Sequence, residues 1–135
     1  MSELLDRSKA LRGDPAVHYN CAQSVLIPFA ERRGMDTATA NALSANFGAG
    51  MKMASVCGAV TGALMALGLY GVDDGPTVSR FYQMIKDNHD GMLLCRDLLA
   101  AYKKRGGGDK KPHCDGMVYE CVQAVEAILT EKGLL

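Results

Sequence analysis

The chain has 135 residues, with 15 basic and 15 acidic side chains, so its formal net charge is zero. This balance argues against a nucleic-acid-binding protein, which usually carries a large excess of positive charge. Hydrophobic residues make up 48% and charged residues 22% of the sequence, which is typical of a folded protein and predicts a single domain over residues 1–135.

Helix-start signals recur along the first third of the chain. Ser2 is placed to cap a first helix that runs to about Arg12. Asn20, followed three residues later by a glutamine, forms a capping-box pattern at the start of a second helix. Asp36 is placed to cap a third helix from residue 37 to about 46. Three residues of this third helix are expected to face the core: Ala38, Ala42 and Leu43.

A turn containing two glycines, residues 47–51, separates the third helix from the fourth. Ser55 is placed to cap the fourth helix, which we expect to end near Tyr70. Residues 53–72 carry no charge, and a stretch of that length could cross a bilayer. Its glycine and alanine content, within an otherwise amphipathic chain, instead predicts the buried central helix of a bundle with no membrane span.

The remaining elements are also helical. Pro76 is a favourable first-turn residue for a fifth helix, and residues 88–91 form a turn signal. A sixth helix is predicted from residue 94 to about 105, and a last helix from about 114 to 132. The sequence therefore predicts an all-α fold, a compact single-domain bundle of six to seven helices around a Gly/Ala-rich central helix.

The chain has five cysteines, and an odd number excludes complete intramolecular disulfide pairing. Its first residues lack the apolar stretch of a secretion signal, which predicts a cytoplasmic protein. In that reducing compartment, grouped cysteines usually serve metal binding or redox chemistry. The alternative is that the cysteines are small residues of the hydrophobic core.

Four of the cysteines fall at predicted helix starts: Cys21, Cys57, Cys95 and Cys114. A helix start presents unpaired N–H groups and a partial positive charge, which stabilise a thiolate and lower the pKa of the thiol. If the four starts converge, they form a pocket for an iron–sulfur cluster, for another thiophilic metal or for redox-active thiols. Cys121 lies in the middle of the last helix, and we expect it to be a core residue.

No pair of cysteines has the C-x-x-C spacing of a dithiol, zinc or haem-attachment motif. Any cysteine site must therefore be assembled by the tertiary fold. His18 and His113 lie near Cys21 and Cys114, where each could act as a further ligand or as a base. The interpretation that both are loop histidines without a role is favoured. The ligand or base role is supported only by their closeness to the cysteines in the sequence.

Four glycines lie close to Cys57 in the sequence. Gly58 and Gly62 share one face of the predicted fourth helix, where small residues allow another helix to approach closely or leave room for a cofactor. Packing, either within the chain or at a homodimer interface, is favoured over cofactor binding. Gly48 and Gly50 lie in the preceding turn, whose N–H groups could line the same pocket.

The string Cys-Gly-Ala-x-x-Gly occupies residues 57–62. Cys21 precedes it within Asn-Cys-Ala, and Cys95 and Cys114 follow it. This arrangement resembles the C_GCAxxG_C_C family of four-cysteine proteins over about residues 18–130. The resemblance implies a redox or metal-binding role for these four cysteines. It also implies an iron–sulfur cluster as a candidate cofactor, because similar modules in other proteins resemble iron–sulfur carriers.

Three functions remain open on the sequence. The first is a redox protein with an unidentified electron or thiol partner, which uses the four cysteines as metal or cluster ligands or as a thiol/disulfide centre. The second is a soft-metal binding or sensing protein without electron transfer. The third is a helical dimerisation module with structural cysteines. No Ser-His-Asp or paired-carboxylate pattern identifies a hydrolase.

Overall fold

Residues 2–135 are described by a computed structural model, and they fold into seven α-helices. The predicted all-α class is confirmed, because the β-pairing within these residues is a single isolated bridge. The helices follow one another along the chain as α1 (Glu3–Arg12), α2 (Cys21–Arg32), α3 (Thr37–Ser44), α4 (Gly58–Leu69), α5 (Gly75–Asp87), α6 (Cys95–Lys104) and α7 (Lys111–Glu131).

Side-chain caps fix the starts of the first three helices as predicted. The Ser2 hydroxyl accepts a hydrogen bond from a backbone N–H three residues on, at 3.0 Å. Asn20 and Gln23 form a complete capping box, in which each side chain accepts from the other residue's N–H at 2.8 Å. Asp36 caps α3 in the same way at 2.6 Å. Each cap satisfies N–H groups that have no partner within their own helix.

The short helix α4 lies against both α2 and α7, and its alanines and valine are completely buried. A Cβ atom added to Gly62 would lie only 2.6 Å from the carbonyl oxygen of Ala22 in α2. Glycine therefore lets the two helix backbones approach each other. The predicted Gly/Ala-rich central helix is present, and its glycine face is occupied by a helix of the same chain.

The uncharged stretch over residues 53–72 does not form one long helix. It contains the end of a turn, an extended segment, the twelve-residue helix α4 and the start of the next loop. Of the helices described within residues 2–135, none combines the length and the hydropathy needed to cross a membrane.

Two predicted helix starts and one predicted helix face are wrong. Helix α4 begins at Gly58 with Cys57 in the cap position, because the backbone of Ser55 pairs with another segment instead of capping. Helix α7 begins at Lys111, before Cys114. In α3 the core side is formed by a different pair, the fully buried Ala40 and Ser44, whereas Leu43 is 56% exposed.

The glycine turn predicted over residues 47–51 has an unusual backbone. Residues 49–52 form a left-handed turn, in which Ala49, Gly50, Met51 and Lys52 have φ angles of 51°, 62°, 59° and 58°. The N–H of Ser55 closes it by donating to the carbonyl of Gly50 at 2.9 Å. Each non-glycine residue in this conformation costs about 1–2 kcal/mol, so the surrounding contacts must hold the turn in place.

Candidate functional site

The four cysteines that the sequence places at helix starts line one cavity of about 640 Å³. Cys21 is the first residue of α2, Cys57 is the cap residue of α4, and Cys95 is the first residue of α6. Cys114 is the fourth residue of α7, still within its first turn. Three helix starts and the first turn of a fourth helix therefore meet at the cavity, together with the left-handed turn.

An isolated antiparallel bridge positions two of these cysteines. The N–H of Cys57 donates to the carbonyl of Leu93 at 2.8 Å, and the N–H of Cys95 donates to the carbonyl of Ser55 at 2.6 Å. This pairing joins the segments that lead into α4 and α6. Gly50 packs against the bridge, since a Cβ atom there would lie 2.5 Å from the nitrogen of Ser55 and 2.9 Å from the Cβ of Cys95.

Three of the four glycines proposed from the sequence to contact a cofactor line the cavity: Gly48, Gly50 and Gly58. Their close contacts, however, are with the protein itself. A Cβ atom at Gly48 would lie 2.6 Å from the Cβ of Asn20, and one at Gly58 would lie 3.3 Å from the Cβ of Cys21. Gly62 does not line the cavity, because it packs against Ala22. These glycines allow the cysteine-bearing segments to approach each other.

Cys21 and Cys114 affect each other's ionisation. Hydrogen bonding with Cys114 raises the pKa of Cys21. The same hydrogen bond lowers the pKa of Cys114 to about 7, and the positive charges of Arg12 and Lys110 lower it further against the effect of burial. The pair thus combines one thiol that is readily ionised at neutral pH with a neighbour that keeps its proton.

Arg12 is the cation that the sequence interpretation missed. Its Nε donates to Asp115 at 2.7 Å and its Nη1 donates to the carbonyl of Tyr19 at 2.8 Å. These bonds hold a guanidinium that is only 6% exposed beside Cys21 and Cys114. In the sequence, Arg12 is only a basic residue in the last turn of α1, which is common near helix ends.

The other two cavity cysteines remain protonated at neutral pH. Burial raises the pKa of Cys57 to about 11, although the N–H groups of Ala59 and Val60 act in the opposite direction. Burial also raises the pKa of Cys95. The expectation that every helix start lowers the pKa of its cysteine is therefore wrong for Cys21, Cys57 and Cys95, where burial or the thiol hydrogen bond dominates. The pKa of Cys114 is lowered as expected, but by Cys21, Arg12 and Lys110 and not by the N–H groups of a helix start.

Thiols are the donors that zinc, copper(I) and iron–sulfur clusters prefer. Within residues 2–135, however, no group of three or more Cys, His, Asp or Glu side chains is arranged to hold a metal ion. The four sulfurs share a cavity without forming a ligand set in this arrangement. The interaction between Cys21 and Cys114 within this cavity is the one from which redox chemistry can be derived.

The remaining sequence candidates occupy different places. His18 and His113 both line the cavity. The His113 ring stacks on Tyr102 with 5.0 Å between ring centroids, and burial lowers its pKa, which favours the neutral ring at pH 7. Cys121 is completely buried in the hydrophobic core and does not line the cavity, which agrees with the expected core position.

A known protein family matches residues 19–128 of the chain. The matched family is described as "Putative redox-active protein (C_GCAxxG_C_C)". The matched range contains all four cavity cysteines and the Cys-Gly-Ala-x-x-Gly string at residues 57–62. No curated protein and no solved structure matches the chain.

Proposed function

Because the chain belongs to the C_GCAxxG_C_C family of redox-active proteins, we propose that Cys21 and Cys114 form a thiol/disulfide redox centre. The observation that carries this proposal is that both thiols line one cavity, where hydrogen bonding with Cys21 lowers the pKa of Cys114 to about 7. Two neighbouring thiols, one of them readily ionised, are what a reversible disulfide requires.

In this proposal Cys114 is the attacking thiol. With a pKa of about 7, close to half of it is thiolate at neutral pH, which is near the optimum for thiol–disulfide exchange. Cys21 is the resolving thiol, because it lines the same cavity and interacts most strongly with Cys114. Oxidation of the pair gives up two electrons and two protons to an acceptor, and reduction by a dithiol partner returns them.

A reducing compartment would keep the centre in the dithiol form between turnovers, which agrees with the proposed cytoplasmic location. The redox partner is an electron or thiol carrier that the geometry of the pair does not identify. Homodimerisation, expected from the glycine face of α4, stays a prediction with weaker support, because α2 of the same chain covers Gly62 on that face.

Oxidation of the reduced protein with diamide, followed by proteolysis without reductant and mass spectrometry, tests the pair. Trypsin leaves Cys114 and Cys121 on one peptide because no cleavable site separates them. The Cys121→Ala variant removes that ambiguity. We expect a peptide that links Cys21 to Cys114, and its loss in Cys114→Ser. A link between Cys57 and Cys95, with Cys21 and Cys114 still reduced, would overturn the proposal.

A second candidate is that all four thiols hold a thiophilic metal or an iron–sulfur cluster. The observation in its favour is that the four cysteines line one cavity, although their side chains must move to form a ligand set. Anaerobic purification with a visible spectrum and metal analysis distinguishes the candidates. Iron with sulfide and visible absorbance would favour a cluster, and colourless protein with stoichiometric zinc or copper would favour a metal-binding or sensing protein.

A further inference from the structure

The lining of the cysteine cavity carries charge of one sign. Three cationic side chains contribute to it, namely those of Arg12, Lys52 and Lys110, and none of its lining residues is Asp or Glu. Asp115, which pairs with Arg12, is not part of the lining. The positive charge around the four cavity cysteines is therefore local, since the chain as a whole has a formal net charge of zero.

Two of these cations keep their charge available to a ligand. Lys110 precedes α7, is exposed and forms no salt bridge with residues 2–135. Its charge lowers the pKa of Cys114 and opposes the rise that burial causes in the pKa of Cys95. Lys52 belongs to the left-handed turn, where its Nζ donates to the neutral side chain of Asn46 at 2.8 Å. Neither lysine is neutralised by a carboxylate.

The rest of the wall is mainly apolar. Side chains from α6 and α7 contribute Leu98, Leu99 and Met117, and the rest of the lining includes several small residues and Met53. A volume of about 640 Å³ lies within the range of small-molecule sites. Charges at the edge of a low-dielectric cavity attract an oppositely charged ligand more strongly than charges on an open surface.

We propose that this cavity binds a small organic anion with an apolar body, a carboxylate-bearing thiol or disulfide, as the exchange partner of Cys114. The inference rests on the proposed function for the exchange step, while the anion site itself rests on the three cations, the absence of lining carboxylates and the cavity volume. The carboxylates would lie toward Lys52 and Lys110, with the sulfur atoms toward Cys114.

The exchange step balances with a disulfide as the oxidant. The Cys114 thiolate attacks one sulfur of the small disulfide, so that a mixed disulfide forms and one thiolate leaves. The sulfur of Cys21, after losing its proton to solvent, attacks Cys114, which forms the protein disulfide and releases the second thiolate. The small disulfide gains two electrons and takes up two protons, which yields two thiols, and the two protein thiols are oxidised.

Binding is tested without redox chemistry by two matched probes, octanedioate and 1,8-octanediamine. Both are linear eight-carbon molecules, with six methylene groups between the carboxylates and eight between the ammonium groups, and their end charges are opposite. We expect amide resonances around the cavity of the reduced protein to shift on titration with octanedioate and not with the diamine. Lys110→Ala should weaken octanedioate binding about three- to fivefold, with a salt dependence that is smaller than in the unaltered protein.

The matched control is Lys103→Ala, which removes an exposed lysine that does not line the cavity. This variant should bind octanedioate as the unaltered protein does. Equal binding of the two probes, or binding of neither, would overturn the anion site whatever the cysteines do. An equal loss of octanedioate affinity in Lys110→Ala and Lys103→Ala would also overturn the anion site, because binding would then depend on the overall charge of the protein and not on the cavity.

Exchange is tested with three disulfides of different charge: dithiodipropionate, bis(2-hydroxyethyl) disulfide and cystamine. For each disulfide, the rate at which it produces the Cys21–Cys114 link is divided by the rate at which it reacts with the small thiol 2-mercaptoethanol. This correction removes differences in the intrinsic reactivity of the three disulfides. We expect the dianionic disulfide to react about tenfold faster than the dicationic one at low salt. Equal corrected rates would overturn the inference and leave the redox pair intact, whereas octanedioate binding without any linkage would overturn the redox pair and the exchange step.

Discussion

Cys21, the first residue of α2, and Cys114, in the first turn of α7, line the same cavity, and hydrogen bonding between them raises the pKa of Cys21 and lowers that of Cys114. The capping box at Asn20 fixes where α2 begins, and the ion pair of Arg12 with Asp115 ties the end of α1 to the first turns of α7. These local features bring two cysteines that are distant in the sequence to one cavity, where their protonation is interdependent.

The pH dependence of alkylation should distinguish Cys114 from the other cavity cysteines. Its pKa of about 7 means that the reactive thiolate fraction rises as pH increases through 7 and is lost below it. Cys57, whose pKa is raised to about 11, should react only in strongly alkaline solution. Iodoacetamide labelling followed by peptide mass spectrometry measures both rates, and a Cys114 midpoint near the ordinary value of about 8.5 would contradict the assignment.

Substitution of Cys21 separates hydrogen bonding from simple proximity. Cys21→Ala removes the donor to Cys114, and the pKa of Cys114 should rise by about one unit, the value of a typical hydrogen bond. Cys21→Ser keeps a hydroxyl donor and should largely restore the low pKa. The alkylation profile of Cys114 gives both values, and identical profiles in the two variants would show that the hydrogen bond is not responsible.

Arg12→Gln should also raise the pKa of Cys114, because it removes a buried positive charge beside the thiolate. Lys111→Gln is the matched control, since Lys111 bonds to the same Asp115 carboxylate but is not among the main groups that shift the pKa of Cys114. The absorbance of thiolate near 240 nm follows the titration in each variant. Similar shifts in both would assign the effect to Asp115 rather than to Arg12.

The close approach of α2 and α4 can be tested by adding one methyl group. Gly62→Ala would place its Cβ 2.6 Å from the carbonyl oxygen of Ala22 and should lower the free energy of unfolding by about 1–3 kcal/mol. Gly68→Ala, in the same helix with open space around it, should be neutral or stabilising by up to about 1 kcal/mol. Urea denaturation measures both, and a Gly62→Ala variant as stable as Gly68→Ala would contradict the packing.

Local capping chemistry is the part of the fold that the sequence predicts best. Ser2, Asn20 and Asp36 cap the helices that their patterns indicate, because each cap depends on a backbone N–H only three residues away. Ser55 has the same local pattern but does not cap, because its carbonyl is used by Cys95 from another segment. A distant partner of that kind leaves no local signal.

The cysteine cavity was predicted from helix starts, but its electrostatics were not. Helix-start position suggests a low pKa for all four thiols, whereas burial reverses that effect at Cys57 and Cys95. The charge of Arg12 reaches Cys114 only through the tertiary fold, whereas Lys110 lies four residues before Cys114 at the start of the same helix. The left-handed turn was also beyond prediction, since Ala49, Met51 and Lys52 have no preference for that conformation.

Equilibrium redox titration of the Cys121→Ala protein tests the central claim most directly. The protein is equilibrated in buffers of graded dithiothreitol ratio, quenched with acid and alkylated, and the Cys21–Cys114 linked fraction is measured by mass spectrometry. We predict one reversible transition with a two-electron slope, about 30 mV per tenfold change in ratio, while Cys57 and Cys95 stay reduced. A transition that links other cysteines, or no linkage of Cys21 to Cys114 at any potential, would contradict the account.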